Sequence, residues 1–447
     1  MVAGTTLRAR VLSFHDEPDA SALAAGADPT SVAGVDYQDD AVVVLRDGRI
    51  DSVLPAVAYE REGGRLDACE DLRDALLIPG MIDTHIHYSQ MAIVGSYGTQ
   101  LLDWLDRYAF PAEIAFADAE HAAAQAALFF DRLFARGTTS ALVFTTVHPQ
   151  ACDALFAEAQ RRRARIVAGK VLMNRNAPSE LRDADDGMTA SMALIERWHG
   201  SDRLAYAVTP RFALSCTADQ LAAAGEIVRR CPDVYVHSHI SEHPDEVAAT
   251  LSDFPEAANY ADVYDRFGLL TEKSVYAHGI HLSDAELRRF AEAGASVAFC
   301  PSSNLFLGSG LLDLARLRAF GVGMGVATDI GGGTDYSMLS ALGDGYKVCQ
   351  LNGQSWHPLS ALYTATLGNA RVLGLQDAIG RVAAGFEADF CVLRPNPHTL
   401  LGERLAGERG ITDTLFAAMI MDSENAIERT YVAGDIAWQR PAAGASR

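Results

Sequence analysis

The chain alternates between short apolar runs and longer amphipathic runs from residue 77 to about residue 330. The apolar runs with the length of buried strands are 77–87, 138–145, 165–173, 204–212, 234–242, 274–280, 296–304 and 322–330. Runs rich in Ala, Leu and Arg lie between most of them, for example at 119–136, 218–230 and 283–293, and these predict helices. About eight strand–helix units predict an α/β fold of the TIM type, a (β/α)8 barrel with its active site at the carboxyl ends of the strands.

A doubly wound open sheet is the alternative fold for the same alternation. A nucleotide-binding fold of that kind has G-x-G-x-x-G directly after its first strand. Here Gly331-Gly332-Gly333 follows the last predicted strand and lacks that spacing. The pattern therefore favours the barrel.

Both flanks of the barrel have strand patterns rather than helical ones. Residues 41–50 contain an Asp-Gly turn after an apolar run, and residues 427–438 have a second hairpin pattern. We expect the two chain ends to pair into one small β-sandwich domain. The predicted division is 1–76 for its amino-terminal part, 77–375 for the barrel and 376–447 for its carboxyl-terminal part.

The composition is typical of an ordinary globular protein. Of the 447 residues, 49% are hydrophobic and 21% are charged. No apolar run approaches the roughly 18 residues of a membrane-spanning helix, and the amino terminus lacks the pattern of a secretory signal. The seven cysteines occur singly, without a CxxC pair, as is usual in a reducing compartment. We therefore expect a cytoplasmic protein.

The net charge narrows the classes of partner. The 37 Lys and Arg residues against 58 Asp and Glu residues give a net charge of −21. So acidic a surface repels polyphosphates, which argues against nucleic acid or an anionic membrane as the main partner. A small neutral substrate is compatible with this charge.

The predicted strand at 77–87 ends in two histidines separated by one residue. Side chains alternate along a strand, so His85 and His87 point to the same side. Two core histidines could share this spacing by chance. Neighbouring imidazoles at a strand end can also supply half of the ligands of a metal site. The apolar run before them argues against a pair of histidines that is merely exposed to solvent.

Further polar residues stand at the ends of later predicted strands. They are His237, His239 and Glu242 at the fifth strand, His278 at the sixth and Asp329 at the eighth. These ends meet at one mouth of a barrel. Three histidines and a carboxylate suit zinc or iron, and such an ion lowers the pKa of a bound water to roughly 7. The period of two leaves open whether His237 or His239 is the ligand.

Each of these residues, taken singly, also has an ordinary structural explanation. His278 could be a core histidine bonded to backbone, and Asp329 could shape the turn before the three glycines. Glu242 could be a solvated charge. Their joint occurrence at predicted strand ends indicates a functional site.

The sequence PGMIDTHIH at 79–87, with the later His, His and Asp, resembles the amidohydrolase superfamily. A narrower, ordered set of motifs is similar to the guanine deaminase family within it. These motifs are SQ at 89–90, LLDWL at 101–105, YAFPAE at 108–113, MNRNAP at 173–178, TPRF at 209–212, SHISE at 238–242 and CPSSNLFLGSG at 300–310. The resemblance extends from about residue 77 to residue 440.

The resemblance implies one metal ion per subunit, zinc with iron as the alternative. Its ligands would be His85, His87, His239 and Asp329, which leaves His237 as a structural residue. It also implies a homodimer.

The resemblance further implies that the substrate is guanine. The substrate-binding residues would be Gln90, Arg211, Phe212, His239, Glu242 and Asp329. These residue types suit a flat polar base, because Phe212 offers a stacking surface, Arg211 offers several donors and Gln90 offers both a donor and an acceptor. The ordinary alternatives are a surface salt bridge for Arg211 and a core position for Phe212.

The implied reaction is hydrolytic deamination at carbon 2 of guanine, giving xanthine and ammonia in purine salvage or catabolism. Asp329 would take a proton from the attacking water as general base. Glu242 would carry protons, first to a ring nitrogen and then toward the departing amino group. His278 would orient the nucleophile or stabilise the tetrahedral intermediate.

Three positions depart from the family pattern. Tyr88 follows His87 where a small residue is more usual, His243 follows Glu242 in place of Asn, and Asp335 replaces a small residue. We expect these differences to affect the pocket rim and the breadth of substrates.

Rival interpretations concern the number of metals, the substrate and activity itself. A two-metal site would need a bridging lysine at the end of the fourth strand, where the sequence has Thr209-Pro210-Arg211; Lys170 lies inside the third strand. A relative that acts on another aminopurine, a pyrimidine, a thio-nucleoside or a triazine would keep the same metal ligands. An inactive scaffold should have lost a ligand, and none is missing.

Overall fold

The computed structural model describes residues 5–98, 100–183, 185, 187–407, 409–421 and 426–441. Part of the expectation about a secretory signal rests on residues 1–4, which lie outside the described residues. Numbered along this part of the chain, the strands are β1 Thr5–Phe14, β2 Val35–Arg46, β3 Arg49–Pro55, β4 Glu70–Pro79, β5 Met81–His87, β6 Thr138–Phe144, β7 Arg165–Gly169, β8 Val171–Leu172, β9 Leu204–Pro210, β10 Tyr235–Ile240, β11 Ser274–His278, β12 Ser296–Phe299, β13 Gly323–Val326, β14 Phe390–Leu393, β15 Ile427–Val432 and β16 Asp435–Gln439.

The helices alternate with the strands through the middle of the chain. They are α1 Ala20–Ala24, α2 Ala56–Arg61, α3 Leu101–Trp104, α4 Phe110–Ile114, α5 Ala119–Ala135, α6 Pro149–Arg161, α7 Met188–Trp198, α8 Ala218–Arg230, α9 Pro244–Asp253, α10 Tyr260–Arg266, α11 Asp284–Ala293, α12 Pro301–Phe306, α13 Leu314–Phe320, α14 Met338–Leu351, α15 Pro358–Tyr363, α16 Asn369–Val372, α17 Leu400–Arg404 and α18 Ile411–Ile420. A π-helical turn, Leu105–Ala109, connects α3 to α4. Within the described residues, no helix is both long and apolar enough to span a bilayer.

A seven-stranded mixed sheet joins the two ends of the chain. Its strand order is β16-β15-β14-β4-β1-β2-β3. Both predicted hairpins are present, as the antiparallel pairs β2–β3 and β15–β16. The sheet encloses a small apolar core that includes Leu77 of β4 and Phe390 of β14. The predicted pairing of the chain ends is confirmed, while the residues at which the domains divide stay a prediction.

The second sheet is the predicted barrel. It runs β13-β12-β11-β10-β9-β7-β6-β5, and each neighbouring pair is parallel. The last strand meets the first beyond β13, where the Asp329 N–H donates to His85 O and the His87 N–H donates to Ile330 O, both at 2.9 Å. The strands therefore close on themselves, as in a (β/α)8 barrel, rather than forming an open doubly wound sheet.

The helices around the barrel begin at the residues that local sequence signals favour. Helix α5 begins after Asp118, whose carboxylate accepts the Glu120 N–H at 2.8 Å. Helix α11 begins with a capping box between Ser283 and Glu286 and ends at Gly294, which has a φ of 71°. Their apolar faces pack on the outside of the barrel strands.

The observed barrel strands are shorter than the predicted ones, and at two of them the difference changes where a named residue lies. Strand β12 ends at Phe299 because Pro301 starts helix α12, so Asn304 lies on a helix and not at a strand end. The third predicted strand is divided into β7 and β8, with Lys170 between them. Neither change moves a predicted ligand away from the mouth of the barrel.

A buried ionic cluster joins the amino-terminal end of the barrel to the small sheet. Arg203, just before β9, donates to Glu387 at 2.6 Å and also to Asp389, which precedes β14. Arg165 of β7 donates to the same Glu387 at 2.9 Å. Each charge in the cluster therefore has a partner, as burial requires.

Candidate active site

Four side chains meet at the carboxyl ends of the barrel strands. His85 and His87 lie on β5, His239 lies on β10, and Asp329 follows β13. One ligand atom of each lies within 4.8 Å of those of the others. The structure thus brings together the four residues that the family resemblance implied as metal ligands.

The ring nitrogens face one another at short distances. His87 Nε2 lies 3.2 Å from His85 Nε2 and 3.3 Å from His239 Nε2. Asp329 Oδ1 lies 3.2 Å from His85 Nε2 and 3.4 Å from His87 Nε2. The backbone of Asp329 has a φ of 51°, a left-handed conformation that aspartate adopts only at some cost and that is concentrated at functional sites.

Hydrogen bonds on the far side of the rings fix their orientation. His239 Nδ1 donates to Arg211 O at 2.5 Å, and His85 Nδ1 lies 2.8 Å from His237 Nε2. Each bond occupies Nδ1 and leaves Nε2 of the ring directed toward the centre of the cluster. The structure therefore places His239 in the cluster and His237 behind His85.

The Asp83 carboxylate forms hydrogen bonds to both chain segments that carry the residues of the cluster. Asp83 of β5 accepts the hydroxyl of Thr328 at 2.5 Å and the backbone N–H of Thr328 at 3.2 Å. It also accepts the backbone N–H of His85 at 3.1 Å. Asp83 thereby holds the segment that carries Asp329 against the strand that carries His85 and His87.

The electrostatics of the cluster suit a divalent cation. Burial lowers the pKa of His85 and His239, and lowers that of His87 to about 4. Burial raises the pKa of Asp329, whereas hydrogen bonding to His85 and His87 lowers it, and the net direction is well below the ordinary value. These directions favour neutral rings and an ionised carboxylate, the forms in which all four groups offer an electron pair to a metal ion and repel one another without it. A bound metal ion relieves this repulsion, and three nitrogens with one carboxylate oxygen suit zinc or iron.

Glu242 and His278 lie beside the cluster. His278 Nδ1 donates to Asn304 Oδ1 at 2.9 Å, which turns Nε2 toward Glu242 Oε2 at 3.3 Å and Asp329 Oδ2 at 3.9 Å. Burial, together with the charge of Asp329, raises the pKa of Glu242 well above its ordinary value. Glu242 is thus a buried carboxyl whose protonated form is favoured by its surroundings.

A pocket opens above these residues. Its lining residues are His87, Gln90, Leu101, Trp104, Leu105, Arg211, Phe212, His239, Glu242, His278, Leu307, Asp329 and Gly332. Every residue predicted to contact substrate is among them. An apolar lining that also includes a few polar side chains is typical of a small-molecule site.

Two important residues were not predicted from the sequence. Phe144, at the end of β6, packs its ring 4.4–5.2 Å from the rings of His85, His87, His237 and His239 and forms an apolar floor. Glu113 of α4 accepts from Gln90 Nε2 at 2.9 Å and from Arg211 Nη1 at 2.6 Å. The strand-end position of Phe144 and the place of Glu113 in the YAFPAE motif at 108–113 were usable signals, although neither residue was assigned a role from the sequence.

The three positions that depart from the family pattern do not line the pocket. The Tyr88 hydroxyl donates to Ala151 O at 2.7 Å, away from the cluster. His243 caps α9 by accepting the Asp245 N–H at 3.2 Å. Asp335 accepts the Ser337 N–H at 3.0 Å. Their contacts are with helices around the barrel.

Lys170 is engaged away from the cluster. It is buried, it forms an ion pair with Asp183, and its Nζ donates to Val171 O at 3.0 Å. These contacts leave it no role as a bridge between two metals, in agreement with a single-metal site.

Comparison with known proteins relates this geometry to one family. The model of the amidohydrolase family matches residues 76–437. Guanine deaminase of Escherichia coli (strain K12) is 45% identical over 371 residues, which are 83% of this chain and 84% of that protein. The solved structure of E. coli guanine deaminase has a TM-score of 0.90 at 38% identity and covers 98% of this chain and 100% of that one. A guanine deaminase structure from C. acetobutylicum, with guanine bound in its active site, has a TM-score of 0.85 at 25% identity and covers 97% and 99% of the two chains.

We expect the purified protein to contain about one equivalent of divalent metal per chain, as a four-ligand site requires. The variant His239→Ala should lose most of it, because one of the four ligands is removed. The matched control is His243→Ala, a partly exposed histidine outside the cluster, which should retain the metal. Elemental analysis after dialysis measures both, and equal metal in the wild type and His239→Ala would contradict the site.

Proposed function

The chain belongs to the amidohydrolase family, and we propose that it is a guanine deaminase, converting guanine and water to xanthine and ammonia. The observation that carries this function is a single pocket in which Arg211, Gln90 and Phe212 face the cluster of three histidines and Asp329. A hydrolytic centre and a wall suited to a polar purine lie within the reach of one small molecule. The relatives that cover most of the chain are themselves named guanine deaminases.

We assign the metal site to one zinc ion per chain, with iron(II) as the alternative. The residues that would hold it are His85, His87, His239 and Asp329, whose orientations and protonation states fit such an ion. When bound, the ion supplies a Lewis acid that makes water a nucleophile at neutral pH.

The base is held by contacts of three kinds. Phe212 offers a ring face for stacking, and Arg211 offers guanidinium donors to carbonyl or ring nitrogen acceptors. Gln90, at the opposite side of Glu113 from Arg211, completes the polar wall. Closure of the apolar residues Trp104 and Leu105 over the base would exclude bulk water and strengthen these contacts.

The proton path runs through Asp329, Glu242 and His278. Asp329, kept ionised by its histidine neighbours, accepts a proton from the attacking water. Glu242 donates its proton to the ring nitrogen beside carbon 2 as the carbon–oxygen bond forms. The ionised Glu242 then takes the proton of the added hydroxyl as the carbonyl forms and passes it to the amino group, which leaves as ammonia when the carbon–nitrogen bond breaks. Transfer of the proton held by Asp329 to Glu242 restores both carboxyl groups. His278 lies between the two carboxyl groups and orients the water.

Two further properties belong to this proposal. We propose a homodimer, as the family resemblance implies. Light scattering on the purified chain measures its oligomeric state. A cytoplasmic location is supported by the seven cysteines, all of which are free in the structure.

Incubation with guanine should release ammonia and shift the ultraviolet spectrum to that of xanthine. The same assay at matched concentration should be run with other aminopurines, aminopyrimidines and triazines. A higher kcat/KM on one of those compounds would reassign the substrate. Absence of turnover on all of them, in protein with a full complement of metal, would favour an inactive scaffold.

The variant Glu242→Gln should lose about 100- to 10,000-fold in kcat, because it removes the group that transfers protons. Its metal content should stay that of the wild type, since Glu242 is outside the four-residue cluster. The matched control is Glu292→Gln on α11, an exposed carboxylate that should leave the rate unchanged. A Glu242→Gln enzyme with the wild-type rate would remove Glu242 from the mechanism.

A further inference from the structure

Glu113 is a buried carboxylate that touches two of the proposed substrate-binding side chains at once. Only 1% of its surface is exposed. Its Oε1 accepts from Gln90 Nε2 at 2.9 Å, and its Oε2 accepts from Arg211 Nη1 at 2.6 Å. Arg211 is itself only 3% exposed, so the pair is withdrawn from solvent.

Glu113 belongs to the segment that covers the pocket. This cover segment, residues 101–114, consists of α3, the π-helical turn and α4. Leu101, Trp104 and Leu105 of the segment line the pocket. Phe110, three residues before Glu113, places its ring 5.2 Å from the Arg211 guanidinium carbon. The cover segment therefore contacts Arg211 through both an ion pair and an aromatic ring.

The charge of Glu113 fixes the orientation of the Gln90 amide. An ionised carboxylate only accepts hydrogen bonds, so Gln90 must turn its NH₂ group toward Glu113. The amide oxygen of Gln90 then faces the Gly331 N–H at 3.3 Å. Gln90 Nε2 also lies 3.4 Å from His87 Nδ1, so both ends of the amide are engaged and Gln90 offers no free acceptor to the pocket.

Arg211 is restricted in the same way. One arm of its guanidinium is held by Glu113, and the rest lines the pocket. A guanidinium has no acceptor. The polar wall made by Gln90 and Arg211 therefore presents donors alone.

We propose that Glu113 is a positioning residue that makes this wall selective for an oxo group on the purine and against an amino group at the same place. This inference rests on the proposed function and deepens it. A purine carbonyl accepts from the remaining donors of the Arg211 guanidinium, whereas an exocyclic amine brings its own N–H groups against a wall that offers no acceptor. Glu113 thus acts on specificity through Gln90 and Arg211 without touching the substrate.

The test compares guanine with 2,6-diaminopurine, which has the same 2-amino group but an amino group in place of the oxo group. In Glu113→Gln (E113Q) the new amide has one oxygen and one NH₂ group, so it cannot accept from Gln90 and from Arg211 with two separate oxygens, and the two side chains lose their fixed orientation. The preference for guanine, measured as the ratio of the two kcat/KM values, should fall by about tenfold or more. The KM for guanine should rise more than its kcat falls, with metal content unchanged.

The matched control is Glu286→Gln (E286Q) on α11. Glu286 is also buried, but its carboxylate accepts from Ser283 and the Ala261 N–H, away from the pocket. Loss of this buried charge should leave the substrate ratio unchanged. If E113Q does not give a cooperative thermal transition, Glu113→Asp takes its place, because the shorter side chain keeps the charge but cannot span Gln90 and Arg211 together.

The outcomes separate this inference from the proposed function. Wild-type protein that turns over neither base refutes the proposed function. Wild-type turnover of guanine with an unchanged substrate ratio in folded E113Q or Glu113→Asp refutes the role of Glu113 alone. Activity that falls by one common factor on both bases would show a merely structural role and would equally overturn the inference.

Discussion

The structure depends on the convergence of four electron-pair donors in a space that burial keeps almost free of solvent. Three neutral imidazoles and the carboxylate of Asp329 approach to 3.2–3.4 Å, a repulsive arrangement without a cation among them. The surrounding architecture maintains it. Alternation along β5 places His85 and His87 on one side, the closing hydrogen bonds of the barrel bring Asp329 to them, and Asp83 ties the two segments together. The barrel thus holds in place a donor set that would not assemble in an open chain.

The polar wall of the pocket resembles the metal cluster in one respect. In both, a hydrogen bond to an atom that faces away from the site fixes the orientation of the side chain. Arg211 takes part in both constructions, since its carbonyl accepts from His239 and its guanidinium pairs with Glu113. A displacement of Arg211 would therefore reach both the cluster and the recognition of the base. Arg211 therefore connects the cluster of metal ligands to the substrate-binding wall.

Those parts of the fold and site that follow local periodicity could be predicted from the sequence. The parallel barrel, the hairpins of the small sheet and the meeting of His85, His87 and Asp329 follow from strand alternation and from the convergence of strand ends. The period of two could not separate His237 from His239, because both lie on β10 and the difference lies in what each ring meets. Glu113 lies in the YAFPAE motif, but it was not identified as a site residue because nothing in the sequence shows that α4 passes over the mouth of the barrel. The predicted strand at 296–304 extended too far and included Asn304. The apolar run before Pro301 suggested a strand, but Pro301 begins helix α12 in the structure.

Anomalous diffraction from crystals of the protein, recorded on both sides of the zinc absorption edge, tests the central claim most directly. The account predicts one strong peak per chain, within coordination distance of Nε2 of the three cluster histidines and of the Asp329 carboxylate; a peak at the iron edge instead would give iron at the same place. Metal found elsewhere in the chain, or no anomalous peak among these four side chains in active protein, would contradict it.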